Sequence, residues 1–252
     1  MAKKYSLDHQ VLYYEGDVTN QMTIAMLLNV VVLTSEAQNR NLGIDHNVLG
    51  EQGLGWVVTS YSMKVNRMPR VDELITVTTR GTSYNRFFAF REFWVVDADG
   101  QELVKIDSIW VLMDEVKRKI TTISPEVVSQ YESEAVKKVP RLPRPTAPEA
   151  VIAEKNYQIR YNDIDFNGHV NNSRYLEWIV DTLPMTFLEQ HNPRTIDIRF
   201  ENEVVYGQTV QGTVELLGDD SQSISRHEIK FDDTIAALAE ITWQKATLTE
   251  DK

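Results

Sequence analysis

The sequence predicts an α+β protein of two tandem units, each an antiparallel sheet wrapped around one long central helix. Three observations support this prediction. A proline-rich stretch divides the chain near its middle. Each half then shows the same order of elements, a helical segment followed by about four strand-like runs. The helical segment of the first half is apolar on almost every face, which is typical of a buried helix.

The boundary between the halves is the stretch KKVPRLPRPTAPEA at 137–150, which holds four of the eight prolines. Proline at this density removes backbone donors and favours an extended connector. We therefore predict a first unit at residues 1–131, a proline-rich linker at 132–150 and a second unit at 151–252. A chain of 252 residues is long enough for two such domains.

The first half begins with VLYYEGDVTN, which predicts a short strand and a turn. The segment 22–40 follows without glycine or proline, and its length favours a helix. The sequence DADGQE later in this half is typical of a hairpin turn. The strand-like runs after the helix are GWVVTSYSMKV, ELITVTTRGTS, RFFAFREFWVVD and ELVKIDSIWVLMD.

The second half repeats this order. The run NYQIRYND predicts a strand, and apolar residues then recur at helical spacing in 171–184 until Pro184 ends the pattern. The strand-like runs that follow are TIDIRFENEV, QTVQGTVELLGD, SISRHEIKFDD and IAALAEITWQKA. The order of elements matches more firmly than the residues do, and it indicates an internal duplication.

Composition excludes several classes of function. The chain has no cysteine, so disulfides, cysteine metal ligands and a cysteine nucleophile are all excluded. The net charge of −11 argues against non-specific nucleic-acid binding. No apolar run reaches the ~18 residues of a membrane span. The opening residues MAKKYSLDHQ lack the apolar region of a secretory signal, so we expect a cytoplasmic protein.

The segment NDIDFNGHVNN at 162–172 carries the densest polar pattern. Asp163, Asp165 and Asn167 alternate as in a calcium loop, but position twelve of that loop falls on Arg174, whose charge opposes a metal. A strand-like run precedes the segment, where a calcium loop needs a helix. We therefore predict no metal site. The remaining interpretations are a polar turn that caps a helix and a catalytic cluster.

The residues around this segment carry a family resemblance. DIDFNGHVNNSRYLEWIVD resembles the D-x-N-x-H-V-N-N-x-x-Y-x-x-W segment of acyl-ACP thioesterases, the bacterial relatives of the plant enzymes that terminate fatty-acid chains. The similarity extends to TIDIRFENEVVYGQTV, which resembles the next strand of that family with its glutamate. The resemblance implies a double hotdog fold, with one hotdog in each half. It also implies hydrolysis of fatty acyl-[acyl carrier protein], with release of free fatty acid and no cofactor.

Carried over by residue, the active site of the family falls on Asp165, Asn167, His169 and Glu201. Glu201 would be a base for water or a direct nucleophile. His169 would hold Glu201 or the water and shuttle a proton. Asn167 would donate to a substrate oxygen or position the water, and Asp165 would orient a neighbour or act as a second carboxylate. The helix that starts near Asn171 would stabilise a developing oxyanion.

One position departs from the family. In the plant members a cysteine follows the glutamate, whereas this chain has Asn202 there. The reaction must therefore run through water or a carboxylate. The first unit has Asp17 and Asn20 in the corresponding stretch but no histidine, so we predict one active site per chain, with the acyl pocket supplied by the first unit.

Three rival functions remain beside acyl-ACP hydrolysis. They are an acyl-CoA thioesterase on the same fold, a hotdog hydratase or dehydratase, and a non-catalytic acyl-binding module. The hydratase family usually has a D-x-x-x-N-P-x-x-H loop, which this sequence lacks. The polar residues of the family motif are all present, and a module that only binds an acyl group would not need them.

The expected partner is acyl carrier protein, which is acidic. This chain is acidic too, and residues 151–252 hold 18 of its 37 acidic residues but 9 of its 26 basic ones. Docking therefore requires a local basic patch on the first unit or the linker. The candidate clusters are Lys64 with Arg67 and Arg70, the run Lys117–Lys119, and Lys137, Lys138, Arg141 and Arg144. Two units can pair within one chain, and a homodimer is also common among hotdog proteins.

Overall fold

The computed structural model describes residues 2–165, 168–219 and 221–246. The helices are α1 Ile24–Asn41, α2 His46–Gly50, α3 Pro125–Val128, α4 Asn172–Asp181 and α5 Met185–Gln190. The strands of the first half are β1 Lys4–Gln10, β2 Leu54–Val65, β3 Leu74–Tyr84, β4 Ala89–Val96, β5 Glu102–Asp114, β6 Lys119–Thr121 and β7 Glu134–Ala135. Those of the second half are β8 Ala153–Gln158, β9 His191–Phe200, β10 Thr209–Gly218, β11 Gln222–Phe231 and β12 Thr234–Lys245.

The strands form one continuous sheet in the order β1-β3-β4-β5-β2-β9-β12-β11-β10-β8. The short strands β6 and β7 pair with β5 and β3 outside this path. The second half of the order mirrors the first, so each strand after the central β2–β9 pair has a counterpart before it. This symmetry confirms the repeated order of a helix and about four antiparallel strands that the sequence predicts.

The two long helices begin at side chains that cap free backbone N–H groups. Thr23 accepts a hydrogen bond from the N–H of Met26, and Asn171 accepts one from the N–H of Ser173. Such N-caps satisfy donors that have no partner within the helix. The apolar face of α1 is buried, and α1 packs against α4. Both predicted central helices are therefore confirmed.

The sequence-based prediction misplaces the first strand of each half. VLYYE is not a strand, because a 3-10 turn occupies Tyr13–Glu15 and the strand lies earlier, at β1. In the second half β8 ends at Gln158 and a 3-10 turn occupies Tyr161–Asp163. Both turns have the same physical cause. The acidic side chain that ends each turn accepts a hydrogen bond from the backbone N–H three residues earlier.

The hydrophobic core is shared by the two halves. One cluster of buried side chains includes Leu27 and Leu28 of α1, Leu176 of α4, and Ile196 and Ile198 of β9. A smaller cluster lies beneath α3. Within the described ranges, no helix has both the length and the apolar content that crossing a bilayer requires.

The central strand pair is expected to be a major determinant of stability. Ile198 on β9 lies opposite Tyr61 on β2 and is 1% exposed. We expect Ile198→Ala to lower the free energy of unfolding by about 2–5 kcal/mol, because it removes apolar contacts and leaves a cavity. Chemical denaturation would measure the change. The control is Ile152→Ala, since Ile152 is 56% exposed; equal losses in the two variants would contradict the expectation.

Candidate active site

Backbone hydrogen bonds join the described residues of the loop between the Tyr161–Asp163 turn and α4. The N–H of Asp165 donates to the carbonyl oxygen of His169 at 2.8 Å, and the N–H of Gly168 donates back to Asp165 at 3.0 Å. Gly168 has a φ of +81°, which glycine adopts without steric cost. The N–H of Val170 donates to Val204 at 3.0 Å, which ties the loop to the segment after β9. The backbone therefore fixes where His169 lies.

Asp163 anchors the base of this loop. Its carboxylate is almost fully buried and accepts hydrogen bonds from the backbone N–H of Arg160 at 2.8 Å and from its guanidinium at 2.8 and 3.1 Å. Arg174 of α4 adds a second cation at 3.5 Å. Burial alone would raise the pKa of Asp163, but the Arg160 hydrogen bonds and the two positive charges outweigh it and lower the pKa.

His169 lies in contact with a carboxylate and a guanidinium. Its Nε2 is 3.1 Å from Oε2 of Glu203 and 3.0 Å from Nη2 of Arg118. Arg118 also forms a salt bridge with Glu203. Arg118 belongs to the turn between β5 and β6 of the first half, whereas His169 and Glu203 belong to the second. The cluster is therefore assembled from both halves of the chain.

The two contacts of Nε2 require different protonation states of that nitrogen. A guanidinium can only donate, so its contact with His169 requires an unprotonated Nε2. A carboxylate can only accept, so a hydrogen bond to Glu203 requires a protonated Nε2. Glu203 and Arg118 thus offer a partner to each state of the imidazole. Such a site suits a group that takes up and releases a proton.

The other predicted site residues lie in different positions. The carboxylate of Glu201 pairs with the guanidinium of Arg199 at 2.8 Å, just beyond the end of β9. The glutamate that contacts His169 is instead Glu203, so the structure does not bring His169 and Glu201 into direct contact. Asn167 lies outside the described residues. The catalytic roles of these residues stay predictions.

Asp165 lies close to the same cluster. It lines a cavity of about 540 Å³ together with two exposed tyrosines, Tyr161 and Tyr206. Burial raises the pKa of Tyr175 in the first turn of α4 well above its usual range, and the charges of Glu203 and Asp165 raise it further. The backbone hydrogen bond from Asp165 to His169 places the two residues side by side on the same loop.

Aromatic side chains pack beneath the loop. The ring centroid of Tyr175 lies 5.3 Å from those of Trp178 and Phe200. Trp178 also stacks on Tyr157 at 5.8 Å. Tyr175 and Trp178 are 3% and 5% exposed. These residues form a packed support for α4 and the loop.

Comparison with known protein families shows to which family the chain belongs. The acyl-ACP thioesterase N-terminal domain matches residues 2–131, and the C-terminal domain of the same family matches residues 146–245. The chain belongs to the acyl-ACP thioesterase family. The resemblance drawn from the loop sequence is thereby confirmed.

Curated relatives of this acyl-ACP thioesterase family member include plant enzymes. An acyl-[acyl-carrier-protein] hydrolase from Cuphea viscosissima is 26% identical over 75% of this chain and 50% of its own length. A palmitoyl-acyl carrier protein thioesterase from Gossypium hirsutum is 25% identical over 79% of this chain and 52% of its own. The chain spans about half the length of these relatives.

Solved structures of similar proteins cover nearly the whole chain. A Lactobacillus plantarum protein, provisionally described as an oleoyl thioesterase, is 46% identical, with a TM-score of 0.94 over 98% of both chains. The 12:0-ACP thioesterase from Umbellularia californica is 20% identical, with a TM-score of 0.82 over 96% of this chain and 98% of its own. At that identity the second likeness shows the fold alone. The predicted α+β double hotdog is confirmed.

Sequence reasoning did not find Glu203 and Arg118. Glu203 lies two residues beyond the glutamate that the family motif indicates. Arg118 is separated from His169 by 51 positions, so no local pattern connects them. One sequence signal did exist, since Arg118 is the centre of a basic run that was singled out as a docking candidate.

The lowered pKa of Asp163 makes its contribution to stability depend on pH. An aspartate whose pKa is lower in the folded than in the unfolded protein stabilises the fold above its ordinary pKa of ~3.9. This stabilisation is lost as the pH falls through the folded value. We expect Asp163→Asn to lower the free energy of unfolding by about 1–3 kcal/mol at neutral pH. The difference from wild type should shrink below about pH 4.

Denaturant unfolding over a pH series would measure this difference. Glu154→Gln is the matched control, because Glu154 is exposed and replacement by its amide should change stability little at any pH. A loss for Asp163→Asn that is equally large at acidic and neutral pH would contradict the expectation.

Proposed function

We propose that this protein hydrolyses the thioester of fatty acyl-[acyl carrier protein] and releases free fatty acid. The observation that carries the proposal is the match of both domains of the family, over residues 2–131 and 146–245. The contact between His169 and Glu203 supports it, because it provides a protonatable imidazole held by a carboxylate. That pair lies at a loop directly before a helix N-terminus, where a developing negative charge is favoured.

The reaction requires a nucleophile, a stabilised oxyanion and a proton for the leaving thiolate. A carboxylate of the site, Glu201 or Asp165, activates water or attacks the carbonyl carbon directly. If water attacks, the carboxylate takes a proton from it, the C–S bond breaks and the fatty acid leaves with the oxygen of that water. If the carboxylate attacks, the C–S bond breaks and leaves a mixed anhydride on the protein, which water then hydrolyses to fatty acid and free carboxylate. In both routes His169 gives a proton to the leaving thiolate of the carrier and is reprotonated by the proton that water releases, and Asn167 donates a hydrogen bond to the substrate. Because the chain has no cysteine, no thiol of the protein takes part.

The acyl carrier protein is proposed to dock on the turn between β5 and β6. Lys117, Arg118 and Lys119 form this turn, and Arg118 reaches the catalytic loop. Lys117 pairs with Asp114 of the same turn. Arg67 of another predicted cluster is held by two carboxylates, those of Glu73 and Asp97, whereas Lys117 and Arg118 each pair with one. Cations beside the site would guide an acidic carrier so that its acyl thioester meets His169.

The remaining parts of the proposal concern organisation. The division into units at 1–131 and 151–252, joined by the linker 132–150, is supported by the mirrored strand order. The first unit is proposed to supply the acyl pocket. A cytoplasmic location and a homodimer remain predictions. Size-exclusion chromatography with light scattering would test whether the protein is a dimer.

The primary test is release of fatty acid from a panel of acyl-ACPs. We expect His169→Ala and Glu201→Ala to lower kcat by about 10²–10⁴-fold, because each removes a group that moves a proton or activates water. The same acyl chains on CoA provide the comparison for carrier selectivity. A folded wild type that binds acyl-ACP and releases nothing would overturn the proposed function.

Arg118 is proposed as a positioning residue that acts through Glu203 on His169. We expect Arg118→Ala and Glu203→Gln each to lower kcat about 10–100-fold, and Arg118→Lys, which keeps the charge, to recover part of the loss. Because both residues act on the same imidazole, the double variant should lose no more than the worse single variant. Lys119→Ala, in the same turn, is the control and should change KM at low salt while leaving kcat unchanged. Additive losses in the double variant would contradict this role.

A further inference from the structure

The loop that precedes α1 matches the catalytic loop, which carries Asp165 and His169, in the backbone hydrogen bonds of the described residues. Both begin at a 3-10 turn closed by a buried acidic side chain, Glu15 or Asp163, and both end at the N-cap of a long helix. Their backbone hydrogen bonds correspond in position and length. The matched pairs are Asp17 N–Gln21 O and Asp165 N–His169 O at 2.8 Å, Asn20 N–Asp17 O and Gly168 N–Asp165 O at 3.0 Å, and Thr23 N–Glu15 O and Asn171 N–Asp163 O at 2.9 Å.

This correspondence assigns each residue of the first loop a counterpart. Asp17 stands where the catalytic loop has Asp165, and Asn20, with a φ of +63°, stands where it has Gly168. Gln21 occupies the position of His169. An amide side chain has no proton to exchange near neutral pH, so this position keeps hydrogen-bonding capacity and loses acid–base chemistry.

Gln21 also reaches the other half of the chain, as His169 does. Its Nε2 donates to Oδ1 of Asn192 at the start of β9 at 3.1 Å, and to Oγ1 of Thr19 at 3.2 Å. Asn192 lies on the strand of the second unit that corresponds to β2. The two units thus meet at two junctions, one at the loop of His169 and one at the loop of Gln21. The symmetry of the sheet relates the second junction to the first.

A cavity of about 630 Å³ opens at this second junction. Gln21 and the other residues of its loop line one side, and the first turn of α1, the end of α4 and α5 line the rest. Most of this wall is apolar, as shown by Met22, Ile24, Leu188 and Trp243. The volume lies within the range of about 300–1,000 Å³ that is typical of sites for small molecules.

The charges around the cavity select against an anion. Four carboxylates are among its lining residues: Asp17, Glu177, Asp181 and Glu189. Within the described part of the chain, Lys155 is the one lysine or arginine of the lining, and its ammonium is 3.1 Å from Asp181. Glu177 is likewise paired with Arg174 at 2.7 Å, so the lining keeps the negative charges of Asp17 and Glu189, which oppose a ligand carboxylate.

We propose that this cavity binds an uncharged long-chain acyl group and does not hydrolyse it. The proposal rests on the proposed function for its choice of ligand, since the same loop geometry receives an acyl thioester at the catalytic site. An acyl thioester is uncharged at its head, and the amide groups of Gln21 and Asn192 can hydrogen-bond to it. The fatty acid product, which is an anion at neutral pH, is excluded.

The test is the number of binding sites per chain, measured by isothermal titration calorimetry. The probe is the amide analogue of dodecanoyl-pantetheine, in which nitrogen replaces the thioester sulfur and prevents hydrolysis. Wild type is expected to bind two molecules per chain, one at each junction. Leu188→Trp places a bulky side chain in the cavity and should bind one. The matched control Leu74→Trp, at a residue that is 53% exposed and outside the lining, should bind two.

A second variant is needed in case Leu188→Trp does not fold. Met185 lines the cavity and is 60% exposed, so Met185→Trp should narrow its mouth and abolish one binding event with little loss of stability. Dodecanoate should not occupy the second site. One probe molecule per chain in wild type would overturn the proposal, and so would equal occupation of this site by dodecanoate.

Turnover of acyl-ACP in the same variants separates this inference from the proposed function. Leu188→Trp and Met185→Trp should retain kcat, because neither residue belongs to the catalytic cluster. Two binding events without any turnover would contradict the proposed function and support the second binding site. Normal turnover with a single binding event would support the proposed function and contradict the second binding site.

Discussion

The pairing of β2 with β9 is the interaction on which the rest of the structure depends. It joins the two halves edge to edge, with Ser60 opposite Arg199 and Lys64 opposite Thr195. Each of these strands would otherwise present an unpaired edge to solvent. Because the register is fixed there, α1 packs against α4 and the turn after β5 reaches the loop of His169. The cluster of Arg118, His169 and Glu203 is thus a consequence of how the halves pair.

The position of the catalytic loop also depends on a buried charge. Asp163 lies at the start of the loop, where it binds Arg160 and Arg174. Arg174 belongs to the first turn of α4, so one carboxylate connects the end of a 3-10 turn to the start of a helix. Removal of one partner from such a buried pair is costly, because the remaining charge has lost its water. Asp163 therefore stabilises the position at which the loop begins.

Much of this fold can be predicted from the sequence, for reasons that are local. A segment without glycine or proline predicts α1, and strand-like runs predict β2, β5 and β12. β1 was missed because KYSLDHQ lies at the edge of the sheet, where its residues alternate only between exposed and half-buried. α5 was missed because six residues are too short for helical periodicity to show. In both cases contacts with the rest of the fold determine the secondary structure, because the local sequence has no clear preference.

The candidate site was predictable only in part. The loop with Asp165 and His169 follows from a compact sequence motif. The partners of His169 do not, because Arg118 lies 51 positions away and comes close only after β2 and β9 pair. Glu203 lies two residues beyond Glu201, and the chain leaves the β9 strand at Phe200, so alternation no longer predicts which glutamate faces the loop. Contacts that depend on the folded arrangement of distant segments are not encoded in any single stretch.

The covalent joining of the two halves has an evolutionary consequence. In a dimer of identical single units, every substitution appears at both junctions, so a loop cannot lose its histidine at one and keep it at the other. Here each loop is encoded separately, and the position held by His169 in one is held by Gln21 in the other. Fusion therefore allows the two loops to carry different residues at matching positions. The backbone of the two loops is the same where each leads to the N-cap of a helix, Thr23 or Asn171.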